Sequence, residues 1–192
     1  MLNLAVQWEY LEKSPASGQE MFTEPPQRER YLSKVELPRF LNALEGDGEE
    51  DRLSVAAIRL LLATGCRRSE VLSLKWNEVR LGEERIFLSD TKNGRSRTVH
   101  LNANAQEVLV ELLGRRDQEA RTRESEFVFP SRLGTRKGHI YDLRKPFEKA
   151  CQRAGVENFR IHDLRHTFAS MAVRGGLASS MCRSCSDTRT SP

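Results

Sequence analysis

The sequence predicts a mainly α fold carrying one small antiparallel β-sheet, an α+β class. Three observations predict it. Apolar residues recur at helical spacing in several segments on both sides of the middle of the chain. Between them, the strand-like runs Arg85–Ser89 and Arg97–Leu101 flank Asn93-Gly94, the dipeptide that most strongly marks a hairpin. The composition, 38% hydrophobic and 30% charged over 192 residues, suits one domain with a real core, with or without an appendage.

Leu2–Leu11 has Leu2, Leu4, Ala5, Trp8 and Leu11 near helical spacing and reads as a short helix. Ser14–Arg30, with Pro15, Gly18, Pro25 and Pro26, reads as a linker. Ser33 followed by Glu36 is a capping box, which starts a helix through Val35, Leu37, Phe40, Leu41 and Leu44. Gly46-Asp47-Gly48 closes it. Arg52–Thr64 is apolar on nearly every side, the mark of a buried helix. Gly65 breaks it, and a second helix runs from about Arg67 to Leu74. Beyond Trp76 the period shortens to the hairpin, with Val79–Leu81 as a third short strand.

Ala105–Arg116 is amphipathic through Val108, Leu109, Leu112 and Leu113, and Asp117–Glu126 reads as a charged loop or a frayed helix end. Phe127-Val128-Phe129-Pro130 reads as a short buried segment, and Ser131–Gly138 as a basic loop, either plainly solvated or in contact with a phosphate backbone. Ile140–Ala154 reads as a helix with Leu143, Phe147 and Ala150 inward, Tyr141 near the core and Gly155 as its stop. Asp163–Arg174 is the last helix. Ala178–Pro192, with one large apolar residue, is expected to be disordered.

The net charge of +4 is a mild basic bias, compatible with a nucleic-acid partner. No apolar run approaches the roughly 20 residues that a membrane helix needs. The start, MLNLAVQWEYLEK, lacks a basic n-region and a cleavage site, so a cytoplasmic location with no membrane partner is expected. There Cys66, Cys151, Cys182 and Cys185 are expected as reduced thiols. Cys182-x-x-Cys185 is half a zinc site at most.

The chemistry is concentrated in Arg160–Phe168, reading RIHDLRHTF, where His162 and Arg165 stand three residues apart at a helix start. An imidazole beside a guanidinium grips an anionic oxygen, since both donate hydrogen bonds and arginine stays charged. Arg67 sits at another helix start, where a cation gains nothing from the helix dipole, and Glu70 one turn on is placed to orient it. Lys92 lies near the hairpin tip, placed to deliver a proton. Read singly, each is an ordinary solvated charge. Converging, they would stabilise the charge that builds on a phosphoryl group in transfer. No carboxylate cluster is spaced for magnesium, so neither metal nor cofactor is expected, and such chemistry uses a side-chain nucleophile.

Three stretches together resemble the tyrosine recombinase (phage integrase) family. They are Ala63-Thr64-Gly65-Cys66-Arg67-Arg68-Ser69-Glu70 with Leu74 and Trp76, Thr91-Lys92-Asn93-Gly94 with Arg97, and His162-Asp163-Leu164-Arg165-His166-Thr167. The likeness covers about Tyr31 to Gly176 and implies an integrase-type catalytic domain. It implies that Arg67 and Arg165 clamp the scissile phosphate of duplex DNA. His162 would hydrogen-bond the same phosphate and assist proton transfer. Lys92 would protonate the leaving 5′-oxygen, and Glu70 would take the supporting acidic position. Other recombinase subunits are implied as further partners.

On this likeness, residues 1–12 are expected as the last helix of a core-binding domain and 13–30 as a linker. Residues 31–177 form the catalytic domain and 178–192 an atypical tail. The family's nucleophilic tyrosine follows the His-x-x-Arg motif. Here Tyr10, Tyr31 and Tyr141 all precede Arg165, so a chain shortened at both ends and without its nucleophile is expected. A non-catalytic DNA-binding module and a type IB topoisomerase-like enzyme are the alternative readings.

Overall fold

The structure is a computed structural model, and it describes residues 2–15, 30–46, 52–89, 96–116, 118, 120–131 and 138–174. Lys92, the tip of the predicted hairpin, most of the Ser131–Gly138 loop and the tail beyond Arg174 lie outside the described residues.

Helix α1 spans Leu2–Gln7. Helix α2, Glu36–Glu45, starts on the predicted capping box. The Ser33 N–H donates to Glu36 Oε2 at 2.9 Å, and the Glu36 N–H donates to Ser33 Oγ at 3.2 Å, so two orphan donors are satisfied reciprocally. Phe40 and Leu44 are buried, while Val35, ahead of the helix, is 69% exposed.

Helix α3, Arg52–Thr64, is the axis of the core. Leu53, Ala57, Ile58, Leu60, Leu61 and Leu62 are all buried, because α3 packs against α5 and α8 and also meets α2, α4 and α7. A helix surrounded in this way must be apolar nearly all round. The short helix α4 is Arg68–Leu72.

The sheet has strands β1 Val79–Arg80, β2 Arg85–Leu88 and β3 Arg97–His100, antiparallel in that order. Ile86 lies opposite both Val79 and Val99. Ile86 and Leu88 are buried and Phe87 is exposed, the period-2 alternation of a sheet with one wet face.

Helix α5 is Ala103–Arg116, and a short helix α6, Ala120–Glu124, stands in the stretch expected as a charged loop or frayed helix end. Val128 and Phe129 are buried, as the apolar run predicts. Helix α7 is Arg144–Ala154, four residues shorter at its start than the apolar pattern suggests. Pro146 explains the difference. Proline fits the first turn of a helix, whereas a start at Ile140 would place it in the interior, without its N–H and against a carbonyl. The Asp142 carboxylate instead accepts the Arg144 N–H at 2.9 Å. Tyr141 therefore stands outside the helix and is 58% exposed, not packed near the core. Phe40, Phe147 and Phe159 pack as a trio, with centroids 5.7 to 5.8 Å apart, joining α2, α7 and the segment that leads to α8.

Helix α8, Asp163–Arg174, is fastened to the segment just before α2. The fully buried Thr167 hydroxyl donates to the Asp163 carbonyl at 2.9 Å and accepts the Leu32 N–H at 3.0 Å. Arg174 lies over the Tyr31 ring and donates to its hydroxyl at 3.3 Å. Arg30 forks onto the Glu36 carboxylate at 2.6 and 3.1 Å and lies over Phe159. No helix among the described residues is long and apolar enough to cross a membrane.

Candidate active site

The site is built on two helix starts held together by one glycine. After Thr64 the chain turns at Gly65, whose φ of +62° is a left-handed conformation that favours glycine. A Cβ there would lie 2.3 Å from Phe168 Cδ1 on α8. Only a residue without a side chain lets the α3–α4 turn approach α8 this closely. The Gly65 carbonyl accepts a 2.8 Å hydrogen bond from Arg165 Nη1, across 100 positions of sequence. Arg165 is thereby drawn to a point two residues from Arg67.

Arg67 caps α4 in an extended conformation, with φ −69° and ψ 147°. Its N–H donates to Glu70 Oε2 at 2.7 Å, and its guanidinium Nη1 donates to Glu70 Oε1 at 3.1 Å. The predicted orienting bond is therefore present. Glu70 is buried, with a side chain 5% exposed, and it has a second partner: Arg97 Nη2 on β3 donates to Oε2 at 2.7 Å. Burial alone would push the Glu70 carboxyl up. The Arg67 N–H and the Arg97 and Arg67 guanidiniums outweigh it and hold the group below the usual carboxylate range.

His162 immediately precedes α8, and its imidazole is exposed. The His166 ring stands 5.3 Å away at 85°, an edge-to-face pair one turn on. Burial of part of the ring, then the positive surroundings of His166, Arg165 and Arg67, push the His162 pKa below its ordinary value, against the pull of Asp163. The lowered pKa favours the uncharged ring, which offers one donor and one acceptor. Beside His162 and Arg165 opens a cavity of about 450 Å³, lined by the exposed Arg68, Arg144 and Arg160, by Glu148, and by the buried Phe147 and Phe159. Arg67 lies outside its lining. Among the described residues, no cluster of three or more His, Cys, Asp or Glu is placed to hold a metal ion.

Of the residues picked from sequence, Arg67 and Glu70 are in direct contact, and Arg165 reaches the same turn. His162 lies within electrostatic reach of both arginines. Lys92 lies outside the described residues. Arg97 stands in the second motif, but no spacing in the sequence marks Glu70 as its partner. The signal was there: Arg97 shares a strand face with buried Val99, and an inward-facing cation needs a counter-charge.

The sequence pattern of the phage integrase family matches residues 30–181. The chain belongs to that family. Among relatives of this phage integrase family member, the integrase of Salmonella phage P22 is 29% identical over 185 residues, 91% of this chain and 44% of that protein. The chain spans 31% to 44% of the length of the curated relatives it matches. Among solved structures, XerA recombinase superposes with a TM-score of 0.60 at 27% identity, over 76% of this chain and 51% of that one. The Tn1549 transposon integrase, solved with circular intermediate DNA, gives a TM-score of 0.71 over 98% of this chain and 67% of that one. At 19% identity, the second likeness speaks for the fold alone. The mainly helical architecture with a three-stranded antiparallel sheet is that of the integrase catalytic domain.

Proposed function

We propose that this chain binds duplex DNA and grips one phosphodiester for site-specific recombination. The observation that carries the reading is the meeting of two motifs, in which Arg165 bonds the carbonyl of the same turn that presents Arg67. Two guanidiniums on rigid helix starts suit the non-bridging oxygens of a phosphate, where charge builds during transfer. Arg67 and Arg165 form the clamp, and Glu70 fixes Arg67. His162 donates to the same phosphate and passes a proton. Lys92 protonates the departing 5′-oxygen as the nucleophile forms its bond to phosphorus. The arginines lining the neighbouring cavity extend the basic surface along the DNA.

The Tn1549 integrase, which shares the fold, was solved on circular intermediate DNA, and a DNA partner for this chain is part of the same reading. Residues 31–177 form the catalytic unit in this reading, with further recombinase subunits as partners. None of the three tyrosines in these 192 residues follows Arg165. In this reading the attacking tyrosine is not among them, and these residues alone bind DNA without cleaving it. That is also the prediction of the non-catalytic alternative, which the same tyrosine count favours.

A nicked suicide duplex separates the two. The chain alone is expected to form no covalent adduct. A version extended by a family-type tyrosine helix is expected to trap DNA covalently. No adduct from the extended version favours the non-catalytic module. Binding should weaken with salt, log K falling by roughly 0.9 per phosphate neutralised. Salt-insensitive binding, or none, contradicts both.

A further inference from the structure

Glu70 is a buried carboxylate shared by two guanidiniums, and the Arg97 bond is the shorter and better shielded of the two. It measures 2.7 Å against 3.1 Å, and the Arg97 side chain is 16% exposed against 31% for Arg67. We propose that Arg97 is a positioning residue for phosphate capture: by neutralising the Glu70 carboxylate, it leaves Arg67 held in place yet still net positive toward the DNA. The inference rests on the reading of Arg67 as a phosphate ligand.

The charge count makes the point. Arg67, Glu70 and Arg97 together carry one net positive charge. With only Arg67 and Glu70 the sum is zero, and an arginine already paired with its own carboxylate has little field left to offer an anion. Two cations around one anion therefore let a single acid orient the clamp without cancelling it. The ladder adds a mechanical role. Arg97 opens β3, whose pairing runs Arg85 to His100 through Leu88 to Arg97. Its bond to Glu70 spans 27 residues and ties the sheet to α4.

The test uses the whole chain and a short duplex oligonucleotide, titrated over a series of salt concentrations. Arg97→Met, which keeps the side-chain length and removes the charge, is expected to weaken binding about tenfold at low salt and to flatten the salt dependence. Arg97→Lys, which keeps the charge, is expected to bind within about threefold of the parent. The decisive variant is the double mutant Glu70→Gln/Arg97→Met, which restores one net positive charge and is expected to recover most of the lost affinity. A merely structural Arg97 would make the double mutant at least as poor as Arg97→Met.

If Arg97→Met does not fold, Glu70→Gln and the double mutant still differ by one charge. The same tenfold gap is then expected between them. An unaltered affinity in Arg97→Met, an unrecovered double mutant, or equal binding by Glu70→Gln and the double mutant would each overturn the inference. Failure of the parent chain itself to bind the duplex would overturn the phosphate-clamp reading instead, so the two failures are distinguishable.

Discussion

Gly65→Ala is expected to lower the unfolding free energy by about 3 kcal/mol, or roughly 10 °C in Tm for a chain of this size. Two costs add. Holding an L-residue in the left-handed region costs about 1–2 kcal/mol. The new methyl would also stand 2.3 Å from the Phe168 ring, which is itself buried. Overpacking of this kind typically costs another 1–3 kcal/mol. The damage also reaches the site. A turn pushed away from α8 stretches the bond from Arg165 to the Gly65 carbonyl and moves Arg67 with it. Thermal denaturation followed by circular dichroism checks the stability. Phe168→Leu in the same background should recover part of the loss, because it thins the wall that the methyl meets. An unchanged Tm in Gly65→Ala would mean that the turn and α8 are not in contact.

Glu70→Ala is expected to be at least as severe, at about 3–5 kcal/mol. Removing the acid takes the shared carboxylate from two half-buried guanidiniums and leaves the Arg67 N–H without its Glu70 acceptor. Glu70→Gln keeps an acceptor for that N–H and should cost less. The pH dependence separates charge from shape. The folded-state pKa of Glu70 is lowered, so its contribution is fully present above the unfolded value of 4.5 and is lost as pH falls through the folded value. Glu36, bound by Arg30 and capping α2, behaves alike, with its pKa lowered to about 2. The parent chain should therefore lose stability steadily below about pH 4.5, and Glu70→Gln should lose less over the same range. Parallel acid limbs for parent and variant would show that the Glu70 charge is not held by the arginines.

The architecture was readable from the sequence because its signals are local. The Ser33–Glu36 box, the all-round apolar face of Arg52–Thr64 and the strand runs around Asn93-Gly94 each mark their own element. Errors arose where a local signal met another that was weighed too lightly. Pro146 overrode the apolar spacing that extended α7 back to Ile140, and Tyr141 moved to the surface with it. In the site, the residue types were visible but their partners were not. Glu70 within one turn of Arg67 is a short-range pair and was expected. Arg97 on Glu70 and Arg165 on the Gly65 carbonyl join positions 27 and 100 residues apart, and no spacing rule connects them. The close approach of Gly65 to Phe168 was equally hidden. The glycine reads as a helix stop, and only the packing of α3 on α8 shows why no other residue fits.

The most direct measurement of the central claim, that Arg67, His162 and Arg165 hold one DNA phosphate, is an NMR titration of the His162 ring with and without bound duplex. In the free chain, burial and the neighbouring cations keep its pKa below the ordinary histidine value. A phosphate seated between the ring and the two arginines favours the charged imidazole, so the pKa should rise on binding and affinity should increase as pH falls. Arg67→Ala and Arg165→Ala should each diminish that rise. A His162 pKa that stays in place while the duplex is demonstrably bound would put the DNA on another face and contradict the clamp.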